Sequence, residues 1–215
     1  IMTLPSEKLI TLNDRGARAA TTFGSLSAGG ANMVLIKKLT ASSSATLSFV
    51  NGTSDVVFDA TYKEYMFTFN NIHPSANGAR LAFQVDTGTN TNFNITVTSS
   101  KFKAYHKENG SASALGYDGS YDQAEGTGFQ NLGTDLIDDN DSSASGKLLL
   151  FNPASTTFVK HFLATVNGMT DGSPPYTEVR YSAGYFNTTT ALTRVQFKMD
   201  SGNIDAGDIC LYGIL

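Results

Sequence analysis

The feature that most constrains this chain is a side-chain alternation of period two that recurs from Asn32 onward. Leu47 and Phe49 alternate with Thr46 and Ser48. Tyr65, Phe67 and Phe69 share one face, with Thr68 and Asn70 opposite. Leu81, Phe83 and Val85 repeat the pattern, as do Phe93, Ile95 and Val97, and Val195, Phe197 and Met199 near the C-terminus. Successive strand residues project to opposite sides of a sheet, so this alternation predicts strands with one buried face. Between the runs lie Asn51-Gly52, Asn77-Gly78, Asn109-Gly110, Asp171-Gly172 and Ser201-Gly202, pairs that tolerate the positive φ of tight turns. About ten short strands at roughly ten-residue spacing make an all-β sandwich or barrel. Helical signal is almost absent. The best candidate is residues 130–138, where Leu132 and Leu136 sit four apart, and Gly133 limits it to one or two turns.

A chain of 215 residues suits one large β domain. The 14 Phe and 9 Tyr supply a core, and the charged fraction of 16% is too low for a disordered chain. Residues 11–30 differ: Ala, Gly, Ser and Thr dominate without periodicity, so residues 1–30 read as an extended N-terminal arm or linker. A net charge of -4 disfavours nucleic acid as a partner, because phosphate binding needs a dominant basic face. No apolar run approaches the roughly 18 residues of a membrane helix, so no membrane insertion is expected. The start, Ile1 to Pro5, lacks the charged and apolar regions of a secretory leader, and the acceptor triads at Asn51, Asn94 and Asn187 read as unused.

Catalytic and metal signals are weak. One cysteine, Cys210, forbids an intrachain disulfide and a thiolate zinc site. The acids Asp135, Asp138, Asp139 and Asp141 lack calcium-loop spacing and read as a solvated loop. His73, His106 and His161 are far apart, and His106-Lys107-Glu108 lacks the cysteine partner motif of a deaminase. No nucleophile elbow, phosphate loop or dinucleotide fingerprint occurs. No catalytic residue, cofactor site or metal site is therefore assigned. The tyrosines of loops and strand ends, Tyr117, Tyr121 and Tyr176, are candidate glycan contacts, since aromatic faces stack on sugar rings. Tyr181 and Tyr185 share the alternation of Val179 and Ala183 and read as core.

Several segments together resemble a family of virion structural proteins of tailed phages that infect marine bacteria. They are residues 39–49 (LTASSSATLSF), the run from Tyr65 to Pro74, residues 102–106 (FKAYH), and residues 151–162 (FNPASTTFVKHF). Residues 183–189 (AGYFNTT) and the ending VQFKMDSGNIDAGDICLYGI complete the set, which spans residue 34 to the C-terminus. The family ending carries Thr and Lys where this chain has Asp208 and Cys210. The resemblance implies a jelly-roll β-sandwich on the particle surface, as capsid decoration or as a tail or fibre component. It implies no catalytic residues, a location in the virion, other virion proteins as partners, and a homo-oligomer. A host surface glycan or receptor is the alternative partner.

Overall fold

A computed structural model describes residues 33–170 and 172–215 of the chain; the arm expected over residues 1–30 lies outside them. Twelve strands follow in order: β1 (Met33–Thr40), β2 (Leu47–Val50), β3 (Glu64–Pro74), β4 (Leu81–Thr87), β5 (Val97–Lys107) and β6 (Ser113–Tyr117). Then come β7 (Gln130–Asn131), β8 (Ala144–Phe151), β9 (Lys160–Thr170), β10 (Tyr176–Phe186), β11 (Leu192–Met199) and β12 (Ile204–Ile214). All pairings are antiparallel, and no helix occurs among the described residues.

Eight strands nest as a wound ribbon: β1 pairs β12, β2 pairs β11, β3 pairs β8 and β4 pairs β7. Successive ribbon members fall in opposite sheets, giving β1-β12-β3-β8 in one and β2-β11-β4-β7 in the other. This is the jelly-roll order, two Greek keys closed as a double-layer sandwich. Two inserted hairpins, β5–β6 and β9–β10, extend the first sheet alone to eight strands, so it is twice as wide as the second.

The core lies where the two sheets face each other. Phe67 of β3 meets Phe49 of β2 and Phe197 of β11 edge to face, Phe69 of β3 meets Phe197 in the same way, and Phe83 of β4 meets Phe162 of β9 and Phe186 of β10. The alternations read for β2, β3 and β11 place these rings inside as expected. Around residue 93 the chain departs from expectation. β5 begins only at Val97; Phe93 has φ 48° and its N–H donates to the Asp86 carboxylate at 2.9 Å. A side-chain acceptor at that point replaces a ladder partner and bends the chain into a loop.

Residues 130–138 form no helical turn. Leu132 and Gly133 donate to the Leu81 carbonyl at 2.8 and 3.0 Å, and Leu136 donates to Ala79 at 3.0 Å. A spacing of four fits a period of two as well as one of 3.6, and the open partners on the β4 side decided it. In β12, Ile209 and Leu211 are fully buried, as their alternation required. Cys210 points to the opposite face but is only 7% exposed, because Lys38 of β1 and Thr68 of β3 flank it in register. A serine fits among those polar neighbours. Cys210→Ser is expected to cost about 1 kcal/mol or less in a urea titration, and a loss of several kcal/mol would mean that the thiol packs in the core.

Candidate functional site

The inner face of the extended sheet changes character along β10. Phe186 is apolar and meets the core, whereas Ser182, Arg180 and Glu178 are buried polar residues. The register of β9 fixes this choice of face: Arg180 lies opposite Val166, Ser182 opposite Ala164 and Gly184 opposite Phe162, all directed inward. Tyr181 and Tyr185 therefore face outward, correcting the core reading made from their alternation with Val179 and Ala183. Tyr181 is 38% exposed.

There the inner face is roofed by residues 118–134, which include β7, and Arg180, Glu178 and Lys101 are buried beneath. Arg180 Nε donates to Glu178 Oε1 at 2.5 Å, its Nη1 donates to the Gly133 carbonyl at 2.9 Å, and Asp118 Oδ2 lies 3.5 Å from Nη1. Glu178 also accepts from Thr134 Oγ1 at 2.9 Å and faces Lys103 Nζ at 3.5 Å. Arg80 bridges Asp135 and Asp200 at the rim. Lys101, fully buried on β5, donates to the Asn131 side chain at 2.5 Å and to its carbonyl at 3.1 Å. Tyr121 closes the roof: its ring lies 4.3 Å from the Arg80 guanidinium and 5.1 Å from that of Arg180, at cation–π distance. Glutamines pin the same segment. Gln130 donates to Tyr121 O at 3.1 Å and accepts from Ser99 Oγ at 2.6 Å, while Gln84 donates to Gly128 O at 2.9 Å.

Arg180, Glu178 and Lys101 are closed from solvent, whereas Lys103, Asp135 and Asp200 stay partly exposed at the rim. Burial lowers the Lys101 amine from its usual 10.5 to about 7, with the nearby Arg180 charge adding to the effect and Asp118 and Glu178 opposing it. A neutral amine can act as a base, but Nζ is buried beneath Asn131, to which it donates. The adjoining groove of about 450 Å³, lined by Tyr121, Asp122, Phe129, Asn131, Lys198 and Asp200 among others, does not reach it. What the network can do is hold the roof. The folded pKa of Lys101 is depressed, so between about pH 7 and 10.5 the unfolded chain holds a proton that the folded chain has shed. Stability from this group therefore rises with pH across that window, and below about 7 its full penalty applies. Lys101→Met is expected to flatten the pH profile of urea stability between pH 7 and 9.5. Parallel wild-type and variant profiles would show that Lys101 does not titrate there.

The three candidate glycan tyrosines are not brought together. Tyr121 is covered by cations, and Tyr176 packs on Tyr105 at 5.4 Å on the same inner side. Tyr117, 64% exposed, belongs to the outer face, where it lies opposite Phe102, which lies opposite Tyr181. Phe102 and Tyr181 stack face to face at 4.7 Å and 15°, so they spend ring faces on each other. Of the acids, Asp138, Asp139 and Asp141 are exposed, whereas Asp135 is drawn into the network by Arg80 and Arg180. His73 Nδ1 bonds the Ser142 carbonyl at 2.7 Å; His106 and His161 are exposed. Among the described residues, no three His, Cys, Asp or Glu side chains are placed to hold a metal.

Lys101, Asp118, Glu178 and Arg180 were not singled out by sequence. Their only signal is charge on alternate positions, Glu178 with Arg180 and Lys101 with Lys103, which equally describes a solvated face. The chain matches no protein-family model, no curated protein and no solved structure.

Proposed function

We propose that the chain is a non-enzymatic structural module of a phage virion surface, acting as capsid decoration or as part of a tail or fibre. The observation that carries this reading is the jelly-roll order, an architecture that recurs in capsid proteins. The sequence segments that resemble virion proteins support it. So does the way the charges are used: the densest titratable cluster is closed beneath residues 118–134 and spent on holding them. Its partners are other virion proteins and further copies of itself, since virion positions are symmetric.

Mass spectrometry of purified particles tests the proposal. The expected result is this chain among the virion proteins, with stoichiometry that matches a symmetric position; its absence from particles would overturn the reading. A glycan- or receptor-binding role is favoured by one observation only, the exposed ring of Tyr117 beside Phe102. Loss of cell-surface binding in Tyr117→Ala, with Tyr121→Ala unchanged, would promote that role over a purely architectural one.

A further inference from the structure

Four strands stand at sheet edges, β1, β6, β2 and β7, and an open edge offers unpaired N–H and C=O groups to any second strand. Three of the four are blunted. β1 carries Lys37 and Lys38 and a register shift between Leu35 and Lys37; β2 has four residues and β7 two. β6 is different. Its sequence, Ser113-Ala114-Leu115-Gly116-Tyr117, holds no charge and no proline, its pairing with β5 is unbroken, and all five residues are exposed. Among the described residues no strand lies beyond it.

The hydrogen-bond parity of β6 is fixed by its ends. Lys107 N–H donates to Ala112 O at 2.9 Å and Asp118 N–H donates to Lys101 O at 2.9 Å. In an antiparallel ladder bonded and non-bonded pairs alternate, so Ala112, Ala114, Gly116 and Asp118 bond to β5. Ser113, Leu115 and Tyr117 therefore turn their N–H and C=O groups to the open edge. That set maps onto itself about a two-fold axis through Leu115: Ser113 falls opposite Tyr117, and Leu115 opposite itself. This register satisfies all three outward residues of both strands, six bonds in total, and a slip of two residues in either direction strands one of them.

We infer that β6 pairs antiparallel with β6 of a second copy of this chain, centred on Leu115. The side chains agree with the backbone. Leu115, 74% exposed, and Tyr117 stand on the outer face, where the partner strand would cover the flank of each. The inner side offers Ala114 and Gly116, and a Cβ built at Gly116 meets nothing within 4 Å, so nothing there obstructs a neighbour. Without charges on β6, the two strands meet with no like-charge repulsion between them. The contact is small, so it is weak in free solution and gains from the high local concentration of a lattice. The inference deepens the virion reading by naming the contact through which copies assemble, and it rests on that reading for the lattice alone.

Cysteine crosslinking tests the register. Residues opposite each other in a bonded antiparallel pair have Cα atoms about 5.5 Å apart, within disulfide range. In a Cys210→Ser background, Leu115→Cys is expected to oxidise to a covalent dimer at least tenfold faster than Ala114→Cys or Gly116→Cys. Equal rates at the three positions, or no dimer from Leu115→Cys, would overturn the pairing. As a second arm, Leu115→Pro removes an outward N–H without touching the β5 ladder. It should abolish the concentration-dependent rise in mass expected of the wild-type chain in light scattering, while the melting temperature stays within a few degrees. Unchanged self-association in that variant would also overturn the inference. Purified protein that crosslinks at residue 115 but is missing from particles would overturn the virion reading alone; the reverse pair of results would overturn the β6 pairing alone.

Discussion

Arg180→Met is expected to lower the free energy of unfolding by about 3–5 kcal/mol, the usual cost of removing one partner from a buried ion pair. The guanidinium is 1% exposed; it donates to Glu178 at 2.5 Å and to the Gly133 carbonyl at 2.9 Å, and lies at ion-pair distance from Asp118 at 3.5 Å and Asp135 at 3.9 Å. Asp118 Oδ2 makes no hydrogen bond of its own, and among the described residues Arg180 is the one cation within 4 Å of it. Removing the cation leaves two buried carboxylates without it, with Lys103 3.5 Å from Glu178 and the Lys101 amine within electrostatic reach of both. The loss should therefore be mostly the cost of stranded charge. That account has a check: adding Glu178→Gln to Arg180→Met should recover part of the loss in a double-mutant cycle. Arg180→Lys separates charge from shape. It keeps the cation but loses the planar fork, so it should still be destabilising, by less than the methionine. An Arg180→Met variant within about 1 kcal/mol of wild type in urea would show that residues 118–134 hold without the network.

The contrast between this network and the core explains what the sequence could disclose. Where the buried face is apolar, alternation is decisive. Phe67 and Phe69 can only be inside, and a one-residue slip would expose both. Along β10 the rule inverts. Glu178 and Arg180 face in and Tyr181 faces out, because the polar pair is satisfied by its own members and by Thr134 and Gly133, which lie more than 40 residues away in sequence. Alternation gives a strand two faces but not a label for which is buried; the register against Val166 and Ala164 of β9 supplies the label. The same limit applies to Tyr121, whose place in a loop suggested exposure until Arg80 was found against its ring. Turn positions were legible for a different reason. Gly52, Gly78, Gly110 and Gly202 all take positive φ, a demand that is local and so is written locally. The pairing of β1 with β12, at opposite ends of the described chain, is written nowhere in short-range pattern.

Phe197→Ala is expected to cost about 3–5 kcal/mol, in the range of large-to-small aromatic substitutions in a closed core. The ring is fully buried and stands at the junction of both sheets, with centroids 5.2 and 5.4 Å from Phe67 and Phe69 of β3, 6.2 Å from Phe49 of β2 and 6.0 Å from Phe83 of β4. Three of these four neighbours meet it edge to face, an arrangement that adds to the area buried. Its neighbours belong to strands held in two ladders, so they cannot collapse into the vacated space without breaking register, and the cavity remains open. For a domain of this size such a loss lowers the melting temperature by on the order of 10 °C. Phe197→Leu fills most of the volume and should cost about 1–2 kcal/mol. The two variants differ in cavity and not in polarity, so their ratio reads the packing term directly. Equal losses for alanine and leucine would mean that the aromatic contacts, rather than the filled space, carry the junction. A small loss for both would mean that the sheets can re-close around the site, contrary to the rigidity that the wound ribbon imposes.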